Sequence, residues 1–248
     1  MAIQFEKWQA CGNDFIIAEN KIDEIKACDR HFGIGADGVL YVNKSKIVDA
    51  EMIVINSDGS EAEMCGNGIR CVAQYVSEKI DKNILNIETK AGIKNISIEK
   101  NYEKIKVEMG KAKLLWKNKI EVNNRIYDAS YINIGNPHCV LFVEDVEEGE
   151  VENYGRQIEH MTNLFPEGTN VEFVTLENDG LRVRVWERGC GRTLACGTGA
   201  CASAFAANER NLIGNKVFVK LDGGTVEIEI AESIKMTGPA QRVFKGEI

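Results

Sequence analysis

The sequence has little proline, no long apolar run and no excess of basic residues. Among its 248 residues are 3 prolines, and no apolar stretch approaches the roughly 18 residues that a membrane-spanning helix needs. The 30 Lys and Arg are outnumbered by 38 Asp and Glu, and this net charge of −8 disfavours binding to a nucleic-acid backbone. The amino terminus shows no apolar signal region. We therefore expect a globular, cytoplasmic protein that binds neither membranes nor nucleic acid.

The 8 cysteines are the unusual feature of the composition. No CxxC pair occurs, whereas zinc sites usually contain closely spaced cysteine pairs. We therefore expect no metal, and the sequence shows no site for another cofactor. A thiol redox or metal-binding protein remains an alternative function, which the missing CxxC disfavours. The default for a free cysteine is a buried small hydrophobe, and we expect this for Cys190 among others.

An internal repeat relates the two halves of the chain. Cys65-Gly66-Asn67-Gly68 reappears about half a chain length later as Cys196-Gly197-Thr198-Gly199. Gly12-Asn13 reappears as Gly135-Asn136, again before an apolar run. Strand-like and helix-like segments flank both motifs in the same order: strands at 51–55 and 181–186, helices at 71–76 and 201–206, strands at 85–89 and 217–221.

The repeat predicts an α/β (α+β) fold with two pseudo-symmetric halves. We place the halves at residues 1–118 and 119–248, with the break in the polar segment 117–124. An alternative placement returns the last strand to the N-terminal half. Three repeated segments in the same order are stronger evidence for a duplicated fold than any one short glycine motif.

Each half places a Cys-Gly-x-Gly motif between a strand and a helix. Glycines at such a junction permit close backbone approach to a ligand. A helix amino terminus presents unpaired N–H groups and partial positive charge, which together bind a carboxylate and favour a thiolate. Two such thiols suit proton removal from one face of a carbon and proton return to the other. Cys65 and Cys196 are therefore the predicted acid/base pair.

Two longer segments carry a resemblance to a known family. Residues 56–71 and 187–200 resemble the two signatures of the diaminopimelate epimerases. Residues 12–15, 29–38, 135–140 and 170–171 are similar to further motifs of that family. The resemblance implies that each half is a small barrel-like sheet around a central helix, with the active site between the halves. It also implies a homodimer without cofactor that interconverts LL- and meso-diaminopimelate.

The resemblance assigns roles residue by residue. Cys65 and Cys196 would be catalytic, exchanging the thiolate and thiol roles with reaction direction, and His138 and Glu187 would assist their deprotonation. The substrate, a small amino acid, would be held by ten residues: Asn13, Asn56, Gly66, Asn67, Asn136, Asn170, Glu187, Arg188, Gly197 and Thr198.

Two departures from the family pattern leave the substrate open. Gln9-Ala10 stand where the family commonly has His-Gly, and Arg192 stands where it usually has Glu. A guanidinium facing Cys196 would favour its thiolate, whereas one facing away would have little effect. A racemase of the same fold acting on another amino acid, such as histidine, is therefore the alternative.

Overall fold

The computed structural model describes residues 2–99, 104–146 and 148–248. It is mostly sheet with few helices, as the sequence predicts. The helices are α1 (Glu24–Cys28), α2 (Gly66–Ile80), α3 (Glu148–Glu159) and α4 (Gly197–Asn208). The strands are β1 (Gln4–Ala10), β2 (Asn13–Ala18), β3 (Gly38–Asn43), β4 (Ala50–Asn56), β5 (Glu61–Ala62), β6 (Ile84–Thr89), β7 (Gly92–Ile98), β8 (Ile105–Gly110), β9 (Lys113–Val122), β10 (Arg125–Asn133), β11 (Pro137–Phe142), β12 (Asn170–Glu177), β13 (Gly180–Glu187), β14 (Gly191–Thr193), β15 (Lys216–Leu221), β16 (Gly224–Glu229), β17 (Ile234–Gly238) and β18 (Gln241–Glu247).

The chain forms two compact units. The first consists of Met1–Glu108 with Thr237–Ile248, and the second of Met109–Met236. Residues 117–124, where the sequence places its break, form the end of β9 and the turn to β10. The division into domains at 118/119 stays a prediction.

In the first unit a sheet packs around helix α2. Strand β1 pairs antiparallel with β2 and with the C-terminal strand β18. The order then runs β2 parallel to β3, β3 antiparallel to β4, β4 antiparallel to β5 and parallel to β6, and β6 antiparallel to β7. Helix α2 contacts β1, β2, β3, β4, β6 and β7. Its residues from Gly66 to Ser77 are all buried, which is typical of a helix enclosed by a sheet.

The second unit repeats this topology around helix α4. Strand β10 pairs antiparallel with β9 and β11, and β11 is parallel to β12. Strand β12 is antiparallel to β13, which pairs antiparallel with β14 and parallel with β15, and β15 is antiparallel to β16. Helix α4 contacts β10, β11, β12, β13, β15 and β16. The predicted similarity of the halves is confirmed.

The two units also share the same pattern of buried and exposed residues along equivalent strands. Strands β6 and β15 both alternate between exposed and buried positions in the same phase. The apolar members of each, such as Leu85 in β6 and Val219 in β15, are fully buried. The buried side chains of this period-2 pattern therefore lie on the face of the sheet toward the central helix in each unit.

One expectation about cysteine burial is wrong. Cys190 is exposed, because it lies in the turn that joins β13 to β14 rather than in an element that packs on the core. Among the described residues, no helix has the length and apolar character needed to cross a membrane.

Candidate active site

The first cysteine site lies at the amino terminus of helix α2. Cys65 is the N-cap residue, with extended backbone angles, and its Sγ accepts a hydrogen bond from the Gly68 N–H at 3.3 Å. An N-cap side chain commonly satisfies one of the helix's orphan donors in this way. The N–H groups of Gly66 and Asn67 belong to the same first turn, which has no preceding carbonyls within the helix to accept them. The predicted grouping of the thiol with these amides is present in this unit.

Asn13 links the β1–β2 turn to Cys65. Its Oδ1 accepts from the Cys65 thiol at 3.8 Å and from the Asn67 amide at 3.2 Å. Its Nδ2 donates to the Asp37 carboxylate at 2.6 Å, which fixes the orientation of the amide. Arg30 in turn donates to the same carboxylate at 2.7 Å. The oxygen end of Asn13 therefore faces the sulfur.

A fully buried arginine holds the base of this site. Arg70, which is 0% exposed, donates to the Asn67 Oδ1 at 3.0 Å and to the Gly66 carbonyl at 3.1 Å. It also donates to the Pro239 carbonyl at 3.1 Å and to the Cys11 Sγ at 3.4 Å. The guanidinium thereby connects the start of α2 with two other segments of the same unit.

Asn56 is the last residue of strand β4. Its side-chain amide donates to the Ser60 hydroxyl at 3.0 Å, and its backbone N–H donates to the Ser60 carbonyl at 2.8 Å. These bonds close the loop that leads from β4 toward Cys65.

The second cysteine site lies at the amino terminus of helix α4. Cys196 is the N-cap residue, and its Sγ accepts from the Gly199 N–H at 3.4 Å. The Thr198 hydroxyl lies 3.4 Å from the same sulfur. Burial raises the pKa of the Cys196 thiol well above its ordinary value, and the nearby carboxylates of Glu187 and Glu172 raise it further. The free chain therefore holds Cys196 as a thiol at neutral pH.

Glu187 provides an acceptor for that thiol. It ends strand β13 and takes a hydrogen bond from Cys196 and another from the Thr193 hydroxyl. Burial raises the pKa of the Glu187 carboxyl, and these hydrogen bonds oppose the rise. A carboxylate made more basic by burial is suited to accept a proton from a neighbouring thiol.

A hydrogen-bonded chain reaches Cys196 from two neighbouring strands. His138 in β11 lies with its Nδ1 2.7 Å from the Glu172 Oε1 in β12 and its Nε2 2.9 Å from the Asn136 Oδ1. The Asn136 amide then donates to the Thr198 hydroxyl at 3.4 Å. His138 and Glu172 are both 0% exposed. The structure thus connects His138 to Cys196 through two intervening side chains rather than directly.

Asn170 and Arg188 occupy adjoining positions in the second unit. The Asn170 side chain donates to the Pro137 carbonyl at 2.8 Å and accepts from the Arg188 backbone N–H at 3.0 Å. The Arg188 guanidinium is exposed and donates to the Glu167 carbonyl at 3.1 Å. Asn170 therefore holds the backbone that presents Arg188.

Arg192, one of the two departures, is bound to carboxylates other than those beside Cys196. Its guanidinium lies 3.1 Å from the Asp222 carboxylate and 3.4 Å from that of Glu152. The other departure, Gln9, accepts from the Gly12 N–H at 3.0 Å and so supports the β1–β2 turn. Among residues 2–99, 104–146 and 148–248, no group of three or more His, Cys, Asp or Glu side chains is arranged to hold a metal ion.

Three residues of these sites were not predicted from the sequence: Glu172, Asp37 and Arg70. Glu172 offers a visible signal, because it is the only charge in the otherwise apolar run at the start of β12. Arg70 offers another, since a charged residue near the start of a buried helix needs specific partners. Asp37 lies in the segment 29–38, which is similar to a family motif, and its bond to Asn13 shows what it supports.

The fold is shared by solved structures of low sequence identity. A hydroxyproline epimerase from Agrobacterium vitis matches with a TM-score of 0.77 at 14% identity, over 100% of this chain and 92% of that one. A phenazine biosynthesis protein from Bacillus anthracis matches with a TM-score of 0.74 at 19% identity, over 100% and 99% of the two chains. These likenesses define the fold class, which this chain shares with an epimerase and a phenazine biosynthesis protein.

Sequence comparison gives the family. The sequence model described as diaminopimelate epimerase matches residues 5–115 and 130–243. The Diaminopimelate epimerase 1 of a Nostoc species is 41% identical over 100% of both chains. The diaminopimelate epimerase of Methanococcus maripaludis is 42% identical over 99% of both. This chain belongs to the diaminopimelate epimerase family, and the predicted resemblance is confirmed.

Proposed function

We propose that the protein is an isomerase that interconverts LL- and meso-diaminopimelate without a cofactor. The observation that carries this proposal is the full-length similarity to diaminopimelate epimerases, at 41–42% identity. The two cysteines at helix amino termini supply chemistry that fits such a reaction. We further propose that the enzyme is a cytoplasmic homodimer acting in lysine biosynthesis.

The proposed reaction uses Cys65 and Cys196 as a thiolate and thiol pair. The thiolate takes the proton from the α-carbon, and the electron pair of the broken C–H bond delocalises into the α-carboxylate. The thiol then donates its proton to the opposite face, so that the thiolate and thiol roles are exchanged. The next turnover starts in the reverse direction or after proton exchange with water.

The helix amino termini would stabilise the charge of the deprotonated substrate. We propose that the N–H groups of Gly66, Asn67, Gly197 and Thr198 bind the α-carboxylate, because first-turn amides and the helix dipole favour an anion there. Such fixed donors act on the charge as it develops in the transition state. Asn13 and Asn136 would border this carboxylate.

Glu187 would be the proton acceptor of the second cysteine site. Its carboxylate accepts a hydrogen bond from Cys196, so it can take the thiol proton when the thiolate is needed. His138 would assist through Asn136 and Thr198, to which it is connected by hydrogen bonds.

The distal end of the substrate would meet Arg188. Diaminopimelate carries a second carboxylate, which the exposed guanidinium of Arg188 can bind in bidentate fashion. Glu187 and the amide oxygen of Asn56 can accept from the distal ammonium. Asn170 would act by holding the Arg188 backbone, since both ends of its amide are already bonded. The pairing of Arg192 with Asp222 leaves diaminopimelate the favoured substrate over histidine.

Deuterium uptake at the α-carbon tests the substrate. Purified protein should exchange the α-proton of LL-diaminopimelate in heavy water far faster than that of L-histidine or other L-amino acids in a panel. Hydrogen-bonding pockets can reject a substrate without the matching groups by roughly 10⁴-fold. Rapid exchange with histidine and none with diaminopimelate would overturn the substrate, but not the fold or the thiol chemistry.

Serine substitutions test the thiols. Cys65→Ser and Cys196→Ser should each lower kcat/KM by at least about 10³-fold, and the double variant should lose little more, because the residues act as a unit. Cys28→Ser is the matched control, since Cys28 is a buried thiol in helix α1. Near-normal turnover by Cys65→Ser would refute the two-base reaction.

A further inference from the structure

The two units have side chains of different polarity at one equivalent position. A Cβ added at Gly68 in α2 would lie 3.0 Å from the Leu40 Cδ2, and a Cβ added at Gly199 in α4 would lie 2.7 Å from the Glu172 Oε1. Leu40 and Glu172 therefore occupy the same place against the first turn of their central helices. One unit uses an apolar side chain there, and the other uses a carboxylate.

The neighbouring strand differs in the same way. In the first unit Phe15 of β2 is aligned with Gly38 of β3. In the second unit His138 of β11 is aligned with Asn170 of β12, by the equivalent parallel pairing. Phe15 and His138 thus correspond. The pair of Phe15 and Leu40 becomes the pair of His138 and Glu172.

Packing alone does not account for the polar pair. His138 and Glu172 are both 0% exposed, and the Glu172 Oε2 has no hydrogen-bond partner within the part of the chain that the structure describes. Burying a charged or imperfectly bonded polar group is costly, and apolar residues of similar size commonly replace such pairs without loss. The first unit shows that an apolar pair suits this position. A polar pair retained at this cost indicates a role beyond packing.

The orientation of Asn136 shows which hydrogens His138 carries. The Asn136 NH₂ group donates to Thr198 and its Oδ1 lies 2.9 Å from the His138 Nε2, so Nε2 carries a hydrogen and donates it. Nδ1 lies 2.7 Å from the Glu172 Oε1 and shares a second proton with it, either as an imidazolium beside the carboxylate or as a neutral ring that accepts from the carboxyl. The NH₂ end of Asn136 is turned toward Thr198, whose hydroxyl hydrogen is left free for the Cys196 sulfur.

In the first unit the equivalent residue, Asn13, has its side-chain amide in the opposite orientation. Asp37 accepts from the Asn13 Nδ2, so Asn13 presents its oxygen to the Cys65 thiol. An acceptor beside sulfur favours the S–H form, whereas a donor favours the thiolate. The donor chain through Asn136 therefore gives Cys196 a contact that favours its thiolate, beside the Glu187 acceptor that opposes it.

We propose that Glu172 is a positioning residue that acts through His138 and Asn136 to direct the Thr198 hydroxyl at Cys196 and stabilise its thiolate. The proposal rests on the proposed function, because it assigns a use to that thiolate. Three charged or titratable groups face Cys196 from three strands: His138 from β11, Glu172 from β12 and Glu187 from β13. The two carboxylates raise the pKa of Cys196 and so destabilise its thiolate. A hydrogen bond from the Thr198 hydroxyl to the sulfur offsets this effect.

The first experiment copies the apolar pair of the first unit into the second. His138→Phe combined with Glu172→Leu should leave the thermal midpoint within a few degrees, because the same residue types pack at the equivalent position. It should lower kcat on LL-diaminopimelate by about 10- to 100-fold, the equivalent of one charge-assisted hydrogen bond, with KM changed by less than about 3-fold. Alkylation of Cys196 by iodoacetamide, followed on its peptide by mass spectrometry, should shift its pH midpoint upward by about one unit, because the loss of the directed Thr198 donor exceeds the loss of the Glu172 charge that raises the pKa.

The second experiment separates orientation from charge. Glu172→Gln can donate its amide N–H to Nδ1 of His138 and so keep the hydrogen on Nε2. We expect its kcat to stay within about 3-fold of wild type, the loss of less than one ordinary hydrogen bond. Glu172→Leu alone should behave like the double variant. Glu177→Gln, on the exposed end of the same strand, is the matched control and should change neither kcat nor the alkylation midpoint.

Three results would overturn the proposal. They are a double variant with wild-type kcat and alkylation midpoint, a loss in Glu172→Gln as large as in Glu172→Leu, and loss of fold stability without any shift of the midpoint. Should a variant fail to fold, ¹⁵N NMR of His138 in the wild-type protein decides, since an unprotonated Nε2 contradicts the proposal. Inactivity of the wild type on LL-diaminopimelate would overturn the proposed function, while the alkylation and NMR measurements would still test Glu172.

Discussion

Replacing Asp14 by Asn perturbs the charge network behind the first cysteine site. The Asp14 carboxylate lies 2.6 Å from the Lys7 ammonium and 2.7 Å from the Arg30 guanidinium. Arg30 also binds Asp37, which orients Asn13 toward the thiol. Burial raises the pKa of Asp14, but the hydrogen bonds from Arg30 and Lys7 outweigh it and bring the pKa from 3.8 to about 2.

The size and sign of the effect follow from this shift. A lowered folded-state pKa stabilises the protein above the unfolded pKa, and the stabilisation is lost as the pH falls through the folded value. The difference between 3.8 and about 2 corresponds to about 2 kcal/mol at neutral pH. This stabilisation should fall to about half of its neutral-pH value near pH 3. The side chain is 18% exposed, so screening by solvent is limited.

Urea unfolding of the wild type and of Asp14→Asn, followed from about pH 7 to about pH 3, measures the effect. We expect Asp14→Asn to lose about 2 kcal/mol or more at neutral pH, because it also leaves the buried Lys7 without its carboxylate. The gap should narrow toward pH 3. Asp179→Asn is the control, since this exposed carboxylate pairs with Lys220 at the surface and should matter little. Equal stability at pH 7, or a gap independent of pH, would refute the reasoning.

Three further predictions address the second unit. Gly199→Ala should lower kcat at least about 10-fold, because its Cβ would press on a buried carboxylate, whereas Gly214→Ala, with open space around it, should not. Arg192→Glu should lower the thermal midpoint by repulsion from Asp222 yet leave the alkylation midpoint of Cys196 in place; a shifted midpoint would show that Arg192 acts on the thiol. Arg188→Leu should remove most of the preference for LL-diaminopimelate over L-histidine in kcat/KM, and an unchanged preference would exclude it from the distal pocket.

Local patterns in the sequence were enough to predict the repeat and the position of two cysteines at helix amino termini. A glycine-rich junction between a strand and a helix predicts an N-cap, and Cys65 and Cys196 are both N-cap residues. Capping depends on a few consecutive residues, so it is visible in one stretch of chain. The alternation that predicts the strands is equally local, because successive side chains point to opposite faces.

The tertiary structure decided what surrounds each sulfur. Asn13 and Asn136 are equivalent in sequence, yet they turn opposite ends of their amides toward the cysteines, because Asp37 accepts from one and His138 donates to the other. Glu172 reaches His138 through the register of two parallel strands, and neither strand's own sequence specifies that register. Hydrogen-bond partners distant in the chain meet only when the sheet has formed. The sequence by itself therefore determined where the two thiols lie along the chain, and the packed sheet decided which proton donors and acceptors face them.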